Sequence, residues 1–386
     1  MLRANVGSST VADAYAAGKE AAGKARVDDA KVAFAFTSCD YDQQAFLKGV
    51  GEALPGTPVV GCTSFTGLIT PEGFVSGPDG YAGVMAIADE DLVVGTAGAP
   101  KSNCARETGR KVARDAMAAA GRKEAPAYFY MVAPPGEEET YLKGIEDVIG
   151  RVPFFGGSAA DNSVEGKWKV LYGLDSYGSG LGVVFFYTSK KAAFRYTGEY
   201  KETPKAGIIT KVEGKRKIVE IDGVAALSKY AEWLGVEPQT LYGLALLGAS
   251  ICHPLGEKDR LGDLVAIRHP MVGNPDGTIN VGNDVATGTA VIFMDSSPDE
   301  LIASTGKTIR AVDDRLGEKP GAYLLVHCGG RRGGIGDRIG EAAEEIRKAA
   351  DGVPFIGVFT FGEYGFEDWG ANTCGGLMLS FAGFQK

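Results

Sequence analysis

Histidine is scarce in this 386-residue chain: only His253, His269 and His327 occur. The six cysteines (Cys39, Cys62, Cys104, Cys252, Cys328 and Cys374) are scattered, with no CxxC pair and no Cys–His zinc spacing. That pattern excludes the common structural zinc sites. Cys39, Asp40 and Cys62 have no histidine at ligand spacing, so no metal is expected. The thiols read as reduced, which places the chain in the cytoplasm. Long apolar runs are also missing. A stretch such as Leu181–Tyr187, LGVVFFY, is too short to span a bilayer, and the N-terminus has no apolar signal core. No membrane insertion is expected. Positive charge is not in excess: 40 Lys and Arg against 49 Asp and Glu leave a net charge of −9. Non-specific binding to nucleic acid is therefore disfavoured. No low-complexity tract and no Walker-type lysine motif occurs. GGRRGGIGDR, from Gly329, lacks the ordered context of a phosphate loop and reads as a flexible turn between strand and helix, so no cofactor is expected.

What is abundant is glycine, 56 residues without a short period, and a recurring pattern built around it. PVVG starts at Pro58, PFFG at Pro153 and PFIG at Pro354. Each follows an apolar strand (VAFAFTSCD from Val32, PAYFYMVAP from Pro126, GAYLLVHCG from Gly321). Between the two runs lies a helical stripe. The stripes are Phe46, Leu47, Val50 and Leu54; Leu142, Ile145, Val148 and Ile149; and Ile339, Ala342, Ala343 and Ile346. Asp42 and Asp337 stand where N-caps belong. After each glycine a polar loop leads to another apolar strand: GVMAIA from Gly83, GVVFFY from Gly182, GLMLSF from Gly376. The reading is an α/β fold of repeated β-α-β-β units with parallel pairs in mixed sheets. A helix is expected over about Thr10–Ala25.

From Lys201 to about Leu301 the repeat is broken. IITKVEGKRKIVEID reads as a hairpin, ALSKYAEWLG as a helix ending at Gly235, and LVAIRHPMVGNPDGTINVG as strand, turn and strand. The chain divides into residues 1–200, with two repeats, and 201–386, with a β-rich segment and the third repeat.

Ligands of open α/β sheets sit beyond the carboxyl ends of the strands. There the repeats carry Cys62, Thr63 and Ser64; Ser158, Asp161 and Asn162; and His327, Cys328, Arg331 and Glu363. Glu363 ends the apolar run PFIGVFTF, where an unpaired carboxylate is costly. Arg331 and Glu363 could clamp the two ends of an amino acid, or pair with each other to close the sheet edge. Adjacent strand residues face opposite sides, so His327 cannot readily activate Cys328. Asp161 and Asn162 could cap a turn or reach the cleft. His253 and His269 each precede proline and read as turn features; Trp168, Trp233 and Trp369 read as core or interface.

The ordered motifs VVGCTSFTG, FFGGSAADN, VEIDG, IRHP with NPDGTI, HCGGR, FIGVFTFGE and the Asn372–Thr373 pair resemble those of FIST-domain proteins, N- and C-terminal halves both, over nearly the whole chain. The pattern departs at Phe65–Leu68, where an acidic residue is more usual, and at His327, where a small one is. The resemblance implies an intracellular sensory protein that binds a small ligand, an amino acid or similar metabolite. It would act without its own output domain and would relay to a signalling partner. The polar positions matching the family are Cys62, Arg268, Cys328, Arg331, Glu363 and Asn372. No catalytic set carries over. The alternative is a cysteine-dependent hydrolase or transferase using Cys328 or Cys62, with Arg331 as anion clamp.

Overall fold

The architecture follows from how three glycine-marked repeats share their strands. A computed structural model describes residues 1–258, 264–366 and 371–386; Trp369 lies outside the described residues. The first repeat runs β1 (Arg3–Ser9), α1 (Ala14–Lys24), β2 (Val32–Thr37), α2 (Gln43–Ala53), β3 (Val59–Thr63), a hairpin of β4 (Leu68–Thr70) and β5 (Gly73–Val75), and β6 (Ala82–Ala88). The second runs β7 (Val93–Pro100), α3 (Ala105–Ala119), β8 (Tyr128–Ala133), α4 (Glu138–Ile149), β9 (Phe154–Ser158), the hairpin β10 (Val170–Tyr172) and β11 (Asp175–Tyr177), and β12 (Gly180–Tyr187).

The third opens with β13 (Ala192–Thr197) and is interrupted by the β-rich segment. That segment comprises β14 (Lys201–Glu213), β15 (Lys217–Ile221), β16 (Val224–Ala225), α5 (Ala226–Leu234), α6 (Ala245–Ala249), β17 (Leu255–Lys258), β18 (Val265–Arg268), β19 (Pro270–Gly273), β20 (Ile279–Val281) and β21 (Ala290–Asp295). The repeat then resumes with α7 (Pro298–Leu316), β22 (Ala322–Cys328), α8 (Gly329–Ile335), α9 (Ile339–Ala350), β23 (Phe355–Thr360), the hairpin β24 (Glu363–Gly365) and β25 (Thr373–Gly375), and β26 (Leu379–Phe384).

The expected parallel pairs form: β2 with β3, β8 with β9, and β22 with β23. The repeating unit is longer than its sequence pattern, because a leading strand and helix belong to each copy. The helix expected over Thr10–Ala25 is shorter, and the residues before it make β1. The loops after each PxxG hold hairpins, and these are exchanged. The sheet orders are β1-β6-β2-β3-β10-β11, β7-β12-β8-β9-β24-β25 and β13-β26-β22-β23-β4-β5. Each repeat thus completes its sheet with a hairpin from another repeat, in a closed cycle.

The apolar strands are buried on both faces for this reason. Their inner faces meet in one core that includes Phe34, Tyr130, Phe155, Phe186, Leu324, Val358 and Phe384. Their outer faces pack on the helix pairs α1/α2, α3/α4 and α7/α9. Two of the PxxG glycines serve the close parallel pairing: a Cβ on Gly61 would stand 1.7 Å from the Ala35 carbonyl oxygen, and one on Gly156 1.9 Å from that of Met131; one on Gly357 would first meet Ile69 of β4, at 3.1 Å.

The helical stripes face the core as expected, and Asp42 caps α2 by accepting from the Gln44 and Ala45 amides. Asp337 does not cap the third stripe. It sits in a single 3₁₀ turn, and α9 begins at Ile339 without a side-chain cap. The stretch GGRRGGI is α8, a short helix whose Gly330 amide is met by the Cys328 side chain, and not a flexible turn. In the inserted segment the hairpin β14–β15, the helix ending at Gly235 in the left-handed region (φ 82°), and the β19–β20 turn stand as read. Among the described residues no helix is long and apolar enough to cross a membrane.

Candidate functional site

The carboxyl ends of the strands meet the inserted segment, and between them lies a cleft of about 320 Å³. Every part of the chain contributes to it. The third repeat supplies Cys328, the α8 glycines Gly329, Gly330 and Gly333, and Phe361 and Gly376. The first supplies Phe65, and the second Pro135, Gly136, Val164 and Trp168. The inserted segment closes it with Arg216, Leu247, Ile251, His269, Met271, Val281, Gly282 and Asn283. The lining is chiefly apolar and aromatic, and its polar groups gather in two places.

The first polar group is Cys328. Its Sγ accepts from the backbone amides of Gly330 and Leu377, both at 3.2 Å. Burial pushes the thiol well above its ordinary range, and the nearby Glu363 carboxyl adds to that rise; the amides offset it only in part. Glu363 lies behind Cys328, fully buried at the start of β24. Its Oε1 accepts from the Thr360 hydroxyl at 2.8 Å and its Oε2 from the Met378 amide at 3.0 Å. Burial raises its pKa to about 8, against the pull of those donors, the Cys328 thiol and the Arg331 charge. His269 faces the same end. Its Nε2 lies 3.2 Å from the Leu247 carbonyl oxygen, and burial lowers its pKa to about 4. Near neutral pH this end therefore offers hydrogen-bonding groups in their uncharged forms.

The second group is ionic. The Arg216 guanidinium lies 3.1 Å from Glu138, 2.6 Å from Glu139 and 3.2 Å from Asp284. It also donates to the Gly282 carbonyl at 2.7 Å. Asn283 Nδ2 reaches Glu139 at 3.3 Å.

Of the residues singled out in the sequence as ligand-binding, only Cys328 lines the cleft. Arg331 is wholly buried and makes no ion pair with Glu363. It donates to the carbonyls of Gly198 (2.7 Å) and Leu301 (3.2 Å) and to Ser304 Oγ, with its guanidinium over the Tyr200 ring. Neither the ligand clamp nor the structural Arg331–Glu363 pair is formed. The Arg331 Nη donors go to the β13–β14 junction and α7 while its buried Nε has no partner among the described residues, and Glu363 is satisfied by Thr360 at the end of β23 and by the Met378 amide.

Cys62 is fully buried in the central core. Thr63 Oγ1 accepts from the Lys169 amide at 2.8 Å, Ser64 Oγ from the Phe359 amide at 3.0 Å, and Ser158 Oγ meets Tyr364 Oη at 2.8 Å. These three therefore bind one repeat to another. Asp161 accepts from the amides of Ser163, Val164, Glu165 and Lys167, holding the loop that leads to Trp168. Asn162 joins the Thr66 amide, Tyr81 and Asp40. Arg268 pairs with Glu257 at 3.0 Å and donates to the Cys374 carbonyl, and Asn372 donates to the Val152 carbonyl. His327 points away from the cleft against Phe359, as strand alternation requires.

Among the other lining residues, Phe65, Arg216, Asn283 and Gly333 carried no ligand reading in the sequence, and His269 was read as a turn feature. Trp168, read as core or interface, is another lining residue. No spacing links them, because they come from separate segments brought together by the exchanged hairpins and the inserted segment.

Comparison with known proteins places this architecture. The FIST N domain model matches residues 31–224 and the FIST C domain model residues 226–365. No curated protein matches the chain. Among solved structures, cyanuric acid hydrolase from A. caulinodans aligns over 100% of both chains at 10% identity with a TM-score of 0.38. Phosphoribosylformylglycinamidine synthase II from Thermotoga maritima aligns over 100% of this chain and 72% of its own at 11% identity, TM-score 0.23. Both scores are too low to carry an argument about this chain. The two domain models between them span most of the chain, and the chain belongs to the FIST family.

Proposed function

We propose that the chain is a small-molecule-binding sensory protein whose ligand occupies the cleft between the strand ends and the inserted segment. One observation carries this reading: the cleft of about 320 Å³ collects lining from all three repeats and the insertion. Its size is at the lower end for ligand sites, which suits a small metabolite. Its chemistry suits an apolar or aromatic body against Phe65, Trp168 and Phe361, with polar ends at Cys328 and Arg216. An apolar amino acid meets that description. A cytoplasmic setting agrees with six cysteines that remain free thiols. Sensing would require a partner protein that reads the occupied state.

A cysteine-dependent hydrolase or transferase is the second reading, since Cys328 faces the cleft beside Glu363. It gains less support, because a thiol raised by burial is a poor resting nucleophile.

Gly333 supplies the test. A Cβ built on it meets no atom within 4 Å outside its own helix backbone, and the position lines the cleft inside a helix. Gly333→Leu should fill the cleft without disturbing the fold. In a thermal-shift screen of apolar and aromatic amino acids, a ligand at a hundredfold excess over Kd stabilises wild type by about 2.7 kcal/mol. The expected result is a gain of several degrees in wild type and none in Gly333→Leu, whose own Tm is unchanged. A panel that shifts neither protein, or shifts both equally, refutes the reading.

A further inference from the structure

The inserted segment is joined to the repeats by two chain crossings, residues 198–200 and 296–297. Beyond these crossings Ile251, Ile267 and Met294 pack into the core of the third repeat and Lys201 pairs with Glu300, and two polar contacts flank the cleft. On one side β18 lies along the third hairpin: Gly376 N donates to Ile267 O at 3.2 Å, and Arg268 donates to Cys374 O at 2.9 Å. On the other side the contact is made almost wholly by side chains. Arg216, from the β14–β15 turn, inserts among Glu138, Glu139 and Asp284, and the Asp284 amide donates to Glu139 at 3.1 Å. Arg216, Gly282 and Asn283 here are also cleft lining, as is Gly136, whose amide donates to Glu138 at 2.6 Å.

We propose that Glu138, buried at the start of α4, and Arg216 of the inserted segment form a pH-released latch that holds the segment over the cleft. The proposal rests on the cleft being the ligand site and concerns how access to it is controlled.

The charge balance gives the direction. Glu138 is fully buried. The groups that face it are Glu137, Glu139 and Tyr141 from its own helix, Arg216 and Asp284 from the inserted segment, and Tyr364 and Cys374 from the third hairpin. Lys215 is on Asp284 and Lys101 on Glu137. Burial holds Tyr364 and Cys374 in their neutral forms. Desolvation and the Glu139 charge outweigh the attraction of Arg216, so the closed latch favours protonated Glu138, at a pKa of about 7. With the latch open, Glu138 is solvated and returns towards its ordinary 4.5. The sign follows: a carboxyl raised in the closed form stabilises closure at low pH and loses that contribution as pH rises through 7. From those two values, the closed-to-open ratio falls roughly 30-fold between pH 5.5 and 8.5.

Hydrogen–deuterium exchange of the full chain reads this without a ligand. The peptides to follow span 213–217 and 280–286, with rates corrected for the intrinsic pH dependence of amide exchange. Wild type should open roughly 30-fold more at pH 8.5 than at 5.5. Glu138→Gln should show no such rise, and Glu139→Gln, which removes the like charge, should move the transition to lower pH. A flat wild-type profile, a rise that persists in Glu138→Gln, or a midpoint unmoved in Glu139→Gln overturns the latch. An empty ligand screen with these exchange results intact would fault the cleft reading instead.

Discussion

Glu363 makes a strong demand on the fold, and a pH series on Glu363→Gln measures it. The carboxyl is fully buried, and its two oxygens accept from Thr360 and the Met378 amide. Those donors favour the charged form, yet burial wins and raises the pKa from 4.5 to about 8. A tenfold change in proton affinity is worth about 1.4 kcal/mol, so ionising Glu363 costs the folded state about 5 kcal/mol at most. The sign is that of a raised acid. Between pH 4.5 and 8 the native state binds a proton that the unfolded state has released, so stability falls as pH rises and levels off above about 8.

Glutamine keeps the shape and cannot ionise. Its carbonyl can take the Met378 amide, and its NH₂ can face the Thr360 hydroxyl, which rotates to accept. The assay is urea denaturation of wild type and Glu363→Gln in half-unit steps from pH 5 to 9. Glu138 titrates in both proteins and drops out of the difference. The wild-type advantage should decline by about 1.4 kcal/mol per pH unit up to about pH 8, then flatten. Parallel curves would refute the reasoning, since they would mean that Glu363 is charged and paired in the fold.

Two further substitutions separate structural roles from ligand contact. Asp161→Ala removes the acceptor for four loop amides and should cost on the order of 3 kcal/mol in urea denaturation, with Asp161→Asn costing less. Arg331→Met strands the Gly198 and Leu301 carbonyls and Ser304, and should cost about 3 kcal/mol or more. The thermal gain from a cleft ligand should survive Arg331→Met, because Arg331 lies behind the lining; loss of that gain would return Arg331 to the binding site.

The elements of this fold were written locally. Strands buried on both faces show as continuous apolar runs, helix stripes as 3.6-residue spacing, and the glycine of PxxG, in the first two copies, as a need for a residue without a Cβ at a close parallel pair. The apolar company of Glu363 likewise announced a costly carboxylate. Its partners were a different matter. Arg331 lies 32 positions away in the chain and is charged, which made it the obvious candidate, but its donors go to Gly198 and α7. The actual partners are a hydroxyl three residues before Glu363 and a backbone amide, groups that carry no distinctive sequence signal. The helix α1 was expected, but the leading strands β7 and β13 were missed because, at sheet edges, they carry less continuous burial than the central strands.

The sequence by itself determined the α/β class, the repeats and the place where polar groups gather, since these depend on neighbours a few residues apart. Only the tertiary structure decided which of those groups meet. Hairpins exchanged among three repeats turned Thr63, Ser64 and Ser158 into ties between repeats. The inserted segment, folding back over the strand ends, brought His269, Asn283 and Arg216 to Cys328 and Trp168. Burial is a property of what arrives from elsewhere in the chain, and burial set the charge states of Glu138, Glu363 and His269.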